Sequence, residues 1–185
     1  MNLIVAVDPG ASGGISFDYG GRGVRSIKMP ETDGDIIAAI RSSESDMTVL
    51  CKEGFSFNRI AVIEKVGGYM GSAMPGAAMF NFGDGYGFIR GVLQTMGYRI
   101  EMVRPQDWMK ALALGNVGTV KASRTMTPEE KKIHARQNAE LKRIWKNKLK
   151  DTAQRLFPDQ TVTLKTADSL LILEYARLTS HNRSF

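Results

Sequence analysis

The sequence predicts an α/β fold on a mixed sheet, three antiparallel strands followed by parallel ones, with helices flanking it. Three observations lead there. The apolar, β-branched run Leu3 to Val7 (LIVAV) stops at Asp8-Pro9-Gly10 and reads as a strand buried on both faces. The runs Ile15 to Asp18 and Val24 to Met29 follow it around glycine-rich turns and supply two hairpin partners. A further apolar strand, Ile60 to Ile63 (IAVI), comes after a helical stretch, so a parallel return beside the first strand is the expected pairing.

The remaining elements follow in order. Asp35 to Arg41 (DIIAAIR) carries apolar residues at 36, 37 and 40 and predicts a short helix capped by Asp33. Gly67 to Gly87 is rich in Gly, Met and aromatic residues without a clean period, and predicts a long loop leading into a helix from about Gly85 to Met96. Arg99 to Val103 is a short strand, after which Pro105 opens a turn or helix holding Asp107-Trp108-Met109-Lys110. Gly115 to Thr125 is turn-rich and basic. Thr127-Pro128-Glu129-Glu130 has the order of a helix start, with a capping hydroxyl, a proline at the first position and a glutamate at the third. That helix runs to about Phe157, with an apolar stripe at Ile133, Leu141, Trp145, Leu149, Ala153 and Leu156, and Pro158 stops it. An extended piece at Val162 to Leu164 and a last helix over Thr166 to Leu178 complete the chain.

With 185 residues, 43% of them hydrophobic and 24% charged, the chain has material for one core, and a single domain over 1–185 is expected. No apolar run reaches the roughly 20 residues of a membrane span, so a cytoplasmic protein is expected. The one cysteine, Cys51, has no disulfide partner, and His134 and His181 form no zinc cluster. His134 is expected to face solvent from the long helix.

The net charge of +6 is concentrated in one place. Residues 121–155 hold eleven Lys/Arg against four Asp/Glu, whereas the rest of the chain holds fourteen against fifteen. Most of these cations fall off the apolar stripe, so the helix presents a positive face. That face is either a solvated surface or an arm that releases counterions when it neutralises phosphates.

Three acids end strands or open a helix: Asp8 after LIVAV, Glu64 after IAVI, and Asp168 near the start of the last helix. A carboxylate beside a buried element is costly unless paired, and a divalent cation is an efficient partner. Parallel neighbouring strands would bring Asp8 and Glu64 out at one end, where the last helix can deliver Asp168. Singly, each acid also reads as a turn or cap residue.

In this order the elements resemble the RNase H-like nuclease fold, and the chain resembles the RuvC-type Holliday junction resolvases, chiefly their phage and bacterial relatives of similar length. The likeness is carried by AVDPGASGGIS at 6–16, VIEKVGG at 62–68, FNFGDGYGFIRG at 80–91, VRPQDWMKALAL at 103–114, AQRLFPD at 153–159 and ADSLLILEYAR at 167–177. It implies a homodimeric, structure-selective endonuclease for four-way or branched DNA, with Asp8, Glu64 and Asp168 as catalytic metal ligands. Lys146 matches a basic residue of the family. The implied cofactor is magnesium, with manganese as substitute, as two ions about 3.5 to 4 Å apart that hydrolyse a phosphodiester through an activated water.

By the same resemblance Lys142, Arg143, Lys146, Lys148 and Lys150 are the phosphate contacts, which position DNA without reading its sequence. Tyr69, Met70, Phe80 and Phe82 are candidates for a wedge that unstacks bases. Arg22, Arg25 and Lys28 near the hairpin are further candidates for the backbone. The family usually has an acid three residues before its last aspartate, where this chain has Lys165. An ammonium there would repel the second cation or stand in its place. The alternatives are a weak or inactive junction-binding relative, a nuclease of the same fold acting on flaps or RNA/DNA hybrids, and a sugar-kinase or actin-like ATPase whose Gly10 to Gly14 turn cradles phosphate.

Overall fold

The computed structural model describes residues 1–51, 56–67, 76–120, 123 and 125–181. Strands β1 (Asn2–Asp8), β2 (Gly14–Tyr19), β3 (Val24–Lys28), β4 (Asn58–Glu64) and β5 (Arg99–Val103) form one sheet in the order β3-β2-β1-β4-β5. The first three are antiparallel neighbours, whereas β4 runs parallel to both β1 and β5. This is the mixed sheet, antiparallel then parallel, that the sequence predicts.

The helices are α1 (Asp33–Leu50), α2 (Gly76–Thr95), α3 (Pro105–Ala111), α4 (Pro128–Leu156) and α5 (Ala167–His181). Alternation along β1 divides the core between the two faces of the sheet, since successive side chains of a strand point oppositely. Ile4 and Ala6 join Val62, Trp108, Leu149 and the buried side of α5, whereas Leu3, Val5 and Val7 join Phe17, Ile40, Met47 and Leu93. Burial on both sides explains why LIVAV is apolar throughout. Helix α5 packs on β1, β2 and β4, and α4 lies against α5. The α5 side of the sheet is tied by a hydrogen bond between the buried hydroxyls of Ser16 and Ser169, 2.8 Å apart.

Several local expectations need correction. Helix α1 is much longer than 35–41, and its cap is Thr32, whose hydroxyl accepts from the Asp35 N–H, rather than Asp33. Its polar second half still buries Ser43 and Met47, which continue the face of Ile36 and Ile40 at helical spacing. Helix α2 starts at Gly76 instead of Gly85, so much of the expected loop is helical despite its glycines. Val162 to Leu164 forms no strand, although Val162 is buried. Helix α4 begins with the expected capping box of Thr127 and Glu130. Its buried stripe is limited to Trp145, Leu149 and Ala153, while Ile133 is 57% exposed and Leu156 39%. The first half of α4 therefore extends past the core.

Candidate active site at the carboxyl ends of the central strands

Strand register brings the acids together. Val7 is opposite Ile63 in the parallel β1–β4 pair, so Asp8 and Glu64, one residue further on, leave the sheet side by side. Two glycines allow the chain to turn tightly after Asp8. A Cβ on Gly13 would stand 2.1 Å from the Asp8 carbonyl oxygen, and Gly10 has φ +120 with room for a Cβ only 3.0 Å from the Phe82 ring. Asp168 arrives from the first turn of α5, nearly buried at 7% exposure.

The electrostatics follow from this convergence. Burial, followed by the nearby charges of Asp168 and Glu64, pushes the Asp8 carboxyl up to about 8, with Lys146 opposing the shift. Burial also raises Glu64, and Asp168 adds to the rise, while the hydrogen bond from Trp108 and the charge of Lys146 pull it down. A third carboxylate of the cluster lacks one partner: Asp168 Oδ1 is buried and accepts no hydrogen bond from the described residues. Its other oxygen, Oδ2, takes an ion pair from Lys146 Nζ of α4. Burial works against the charge on Lys146, but Asp168, Asp8 and Glu64 outweigh it and hold the ammonium above the usual lysine range. Glu64 is in turn held by Trp108, whose indole Nε1–H donates to Oε2 at 2.9 Å.

The three predicted acids are thus neighbours, and the cation that neutralises them is Lys146. Lys165 is exposed, and its charge acts on Glu31 in the β3–α1 connection. The signal for Lys146 is its position beside Trp145 and one turn before Leu149, at the edge of the buried stripe of α4. The bond from Trp108 had no sequence signal beyond a tryptophan one turn into a helix that starts at Pro105.

The other candidates are spread out. Lys142 is exposed on α4, and Arg143 is exposed but paired with Glu140 at 2.6 Å. Lys148 donates to the Leu114 carbonyl at 2.7 Å and lies over the Trp145 ring, and Lys150 is half-buried. Phe80 is 74% exposed on α2. Phe82 turns back against Gly10 and stacks on Tyr86 with ring centroids 6.4 Å apart. Tyr69 and Met70 lie outside the described residues. The hairpin cations engage α1 or its approach: Arg22 donates to the Leu50 carbonyl, Arg25 pairs with Asp46 and Lys28 with Glu31. His134 is not simply solvent-facing; its Nε2 is 2.6 Å from the Val120 carbonyl, and Asn138 bonds both backbone groups of Val120.

Among the described residues no three His, Cys, Asp or Glu side chains stand close enough together to hold a metal ion as they are. The donors nevertheless fit one. They are hard carboxylate oxygens, they repel one another, and a buried oxygen of Asp168 has no partner. Among the described residues no helix is long and apolar enough to cross a membrane.

No protein-family model and no curated protein matches the sequence. Among solved structures, that of Thermus thermophilus RuvC is similar over 96% of this chain and 96% of that one, with a TM-score of 0.49 and 12% sequence identity.

Proposed function

We propose that this protein is a metal-dependent endonuclease that cuts four-way or branched DNA junctions by paired phosphodiester hydrolysis. The observation that carries the reading is the convergence of Asp8, Glu64 and Asp168 from β1, β4 and α5 around the single ammonium of Lys146. A fold gains nothing by gathering three like charges at one sheet end, and raised carboxyl groups in such a cluster are characteristic of functional sites.

Asp8, Glu64 and Asp168 would hold magnesium or manganese. When bound, such a cation supplies activation of water and neutralises charge developing on the scissile phosphate. The chain's own part is to hold the acids and balance their charge. Lys146 keeps its proton at Nζ and offsets the cluster, and its half-exposed position leaves it able to turn towards a phosphate. The basic face of α4, with Lys142, Arg143, Lys148 and Lys150, would bind the DNA backbone, and Phe80 is the exposed aromatic suited to enter a base stack.

The reading includes a twofold homodimer, because a four-way junction presents two equivalent strands for cutting. It is supported by α2, where Gly83, Gly87 and Gly91 recur four residues apart, with no described residue within 4 Å of where a Cβ would stand. Such a bare helix face allows close approach of a second helix.

A junction-binding protein without cutting activity is the second reading. It is favoured by the Lys146–Asp168 pair, since that ammonium must leave or shift before Asp168 can serve a cation.

The test is cleavage of an end-labelled four-way junction beside linear duplex, flap and RNA/DNA hybrid, in magnesium and then in manganese. Paired, symmetric nicks on the junction are expected, lost in Asp8→Asn while junction binding persists. Tight binding without cutting in either metal would establish the second reading, and cutting by Asp8→Asn would overturn the site.

A further inference from the structure

We infer that Trp108 is a positioning residue for Glu64, fixing the carboxylate through its indole N–H so that the site can take a divalent cation. This rests on the metal-site reading above.

The side chain of Trp108 is fully buried in the core shared by α3, α4, α5 and the sheet. For filling that space an apolar ring would suffice. A buried indole also carries an N–H that needs an acceptor, and here the acceptor is Glu64 Oε2 at 2.9 Å. The choice of a carboxylate at the mouth of the site couples core packing to the orientation of a candidate ligand.

The path between the two residues is short and braced. Glu64 is the register partner of Val103, the last residue of β5, and the Lys65 N–H donates to the Val103 carbonyl at 2.6 Å. Helix α3 begins two residues after Val103, with Pro105 in its first turn and no side-chain cap. The Arg104 guanidinium grips both oxygens of Asp107 at 2.9 Å on the exposed side. Trp108 follows directly and turns inward. Because every link is a backbone or side-chain bond, Trp108 cannot drift from Glu64 without disturbing the β4–β5 end.

A fixed carboxylate has lost the rotation about its terminal torsion before any ligand arrives, so less ordering is needed on binding. Partners one bond behind a metal ligand typically change affinity by about 10- to 100-fold when removed.

The test is manganese titration of the full-length, metal-free protein by calorimetry, without DNA, comparing wild type, Trp108→Phe, Glu64→Ala and the double variant. Thermal unfolding of each confirms folding. Replacement of Trp108 by benzothienylalanine, which keeps the bicyclic shape but has sulfur in place of N–H, separates the bond from the packing. Loss of the N–H should weaken manganese binding about 10-fold in the wild-type background and not at all in the Glu64→Ala background, which offers the indole no acceptor. Unchanged affinity in the benzothienylalanine protein would overturn the inference while leaving the metal site standing. Equal losses in both backgrounds would likewise overturn it, because Trp108 would then act on something other than Glu64. If Glu64→Ala itself left affinity unchanged, the metal-site reading would fail and the inference with it.

Discussion

Helix α5 meets two buried aspartates, and they are treated in opposite ways. Asp18 of β2, 4% exposed, has both oxygens occupied: Oδ1 accepts from the Gly21 N–H at 3.1 Å, and Oδ2 accepts from Arg177 Nε at 2.7 Å. The guanidinium itself lies 5.3 Å from the Phe157 ring and is flanked by Glu174. Nine residues earlier on the same helix, Asp168 has one oxygen on Lys146, the other without a partner, and two further acids beside it. The first arrangement is complete and closes a hairpin onto the helix. The second leaves Asp168 Oδ1 without a protein partner among the described residues and three acids sharing the charge of Lys146.

Substitution should separate the two. Asp168→Asn is expected to reduce junction cleavage on the order of 10³-fold or more, the scale on which losing one charge-stabilising group affects a site. It should cost little stability, because Lys146 still has Asp8 and Glu64 close by. Asp18→Asn should do the reverse. Neutralising the buried Asp18 weakens its bond from Arg177, which keeps Glu174 beside it, so stability should fall measurably in urea unfolding while cleavage per folded molecule stays near wild type. Equal stability losses in the two variants would break the distinction.

A smaller effect sharpens it. The Asp8 carboxyl is raised from near 4 to about 8 by burial and then by Asp168 and Glu64. The fold therefore favours the protonated form, so this contribution to stability is fully present below about pH 4 and lost as pH rises towards 8. In the absence of divalent cations, Tm should fall across that window, and Asp8→Asn should remove part of the slope. Calorimetry with and without magnesium reads both effects, the cation flattening the slope by taking the place of the proton. A slope unchanged by Asp8→Asn would mean that the strain lies elsewhere.

The smallest effect concerns α4. Lys142 is exposed, so Lys142→Ala should weaken junction binding evenly across sequences and lower the salt dependence by about one ion. Fluorescence anisotropy at several salt concentrations measures this.

Much of this arrangement is legible in the residues, because strand ends are marked by chemistry. LIVAV and IAVI each stop at an acid, and parallel neighbours whose registers match leave those acids together. Other features are hidden for physical reasons. The second half of α1 contains serines and acids with no apolar period to extend the helix beyond Arg41, yet the core needs only Ser43 and Met47 from it. Glycines mask the start of α2, since propensity is outweighed by packing of Ile89, Leu93 and the aromatic side chains on the sheet. Lys146 looks like one of many cations on a solvated face. Its place at the edge of the Trp145–Leu149 stripe hints at an inward turn, but the partner it meets, Asp168, comes from a separate helix 22 residues on. The same holds for Trp108 and Glu64, which are 44 residues apart and meet only because β5 lies beside β4.

The most direct measurement is a crystal structure of the protein in manganese, with anomalous scattering used to locate the ion. The account predicts an anomalous peak contacting Asp8, Glu64 and Asp168, with Asp168 Oδ1 among its ligands and Lys146 displaced from the carboxylate. Crystals saturated with manganese that show no peak at these acids, with Lys146 still paired to Asp168, would contradict it.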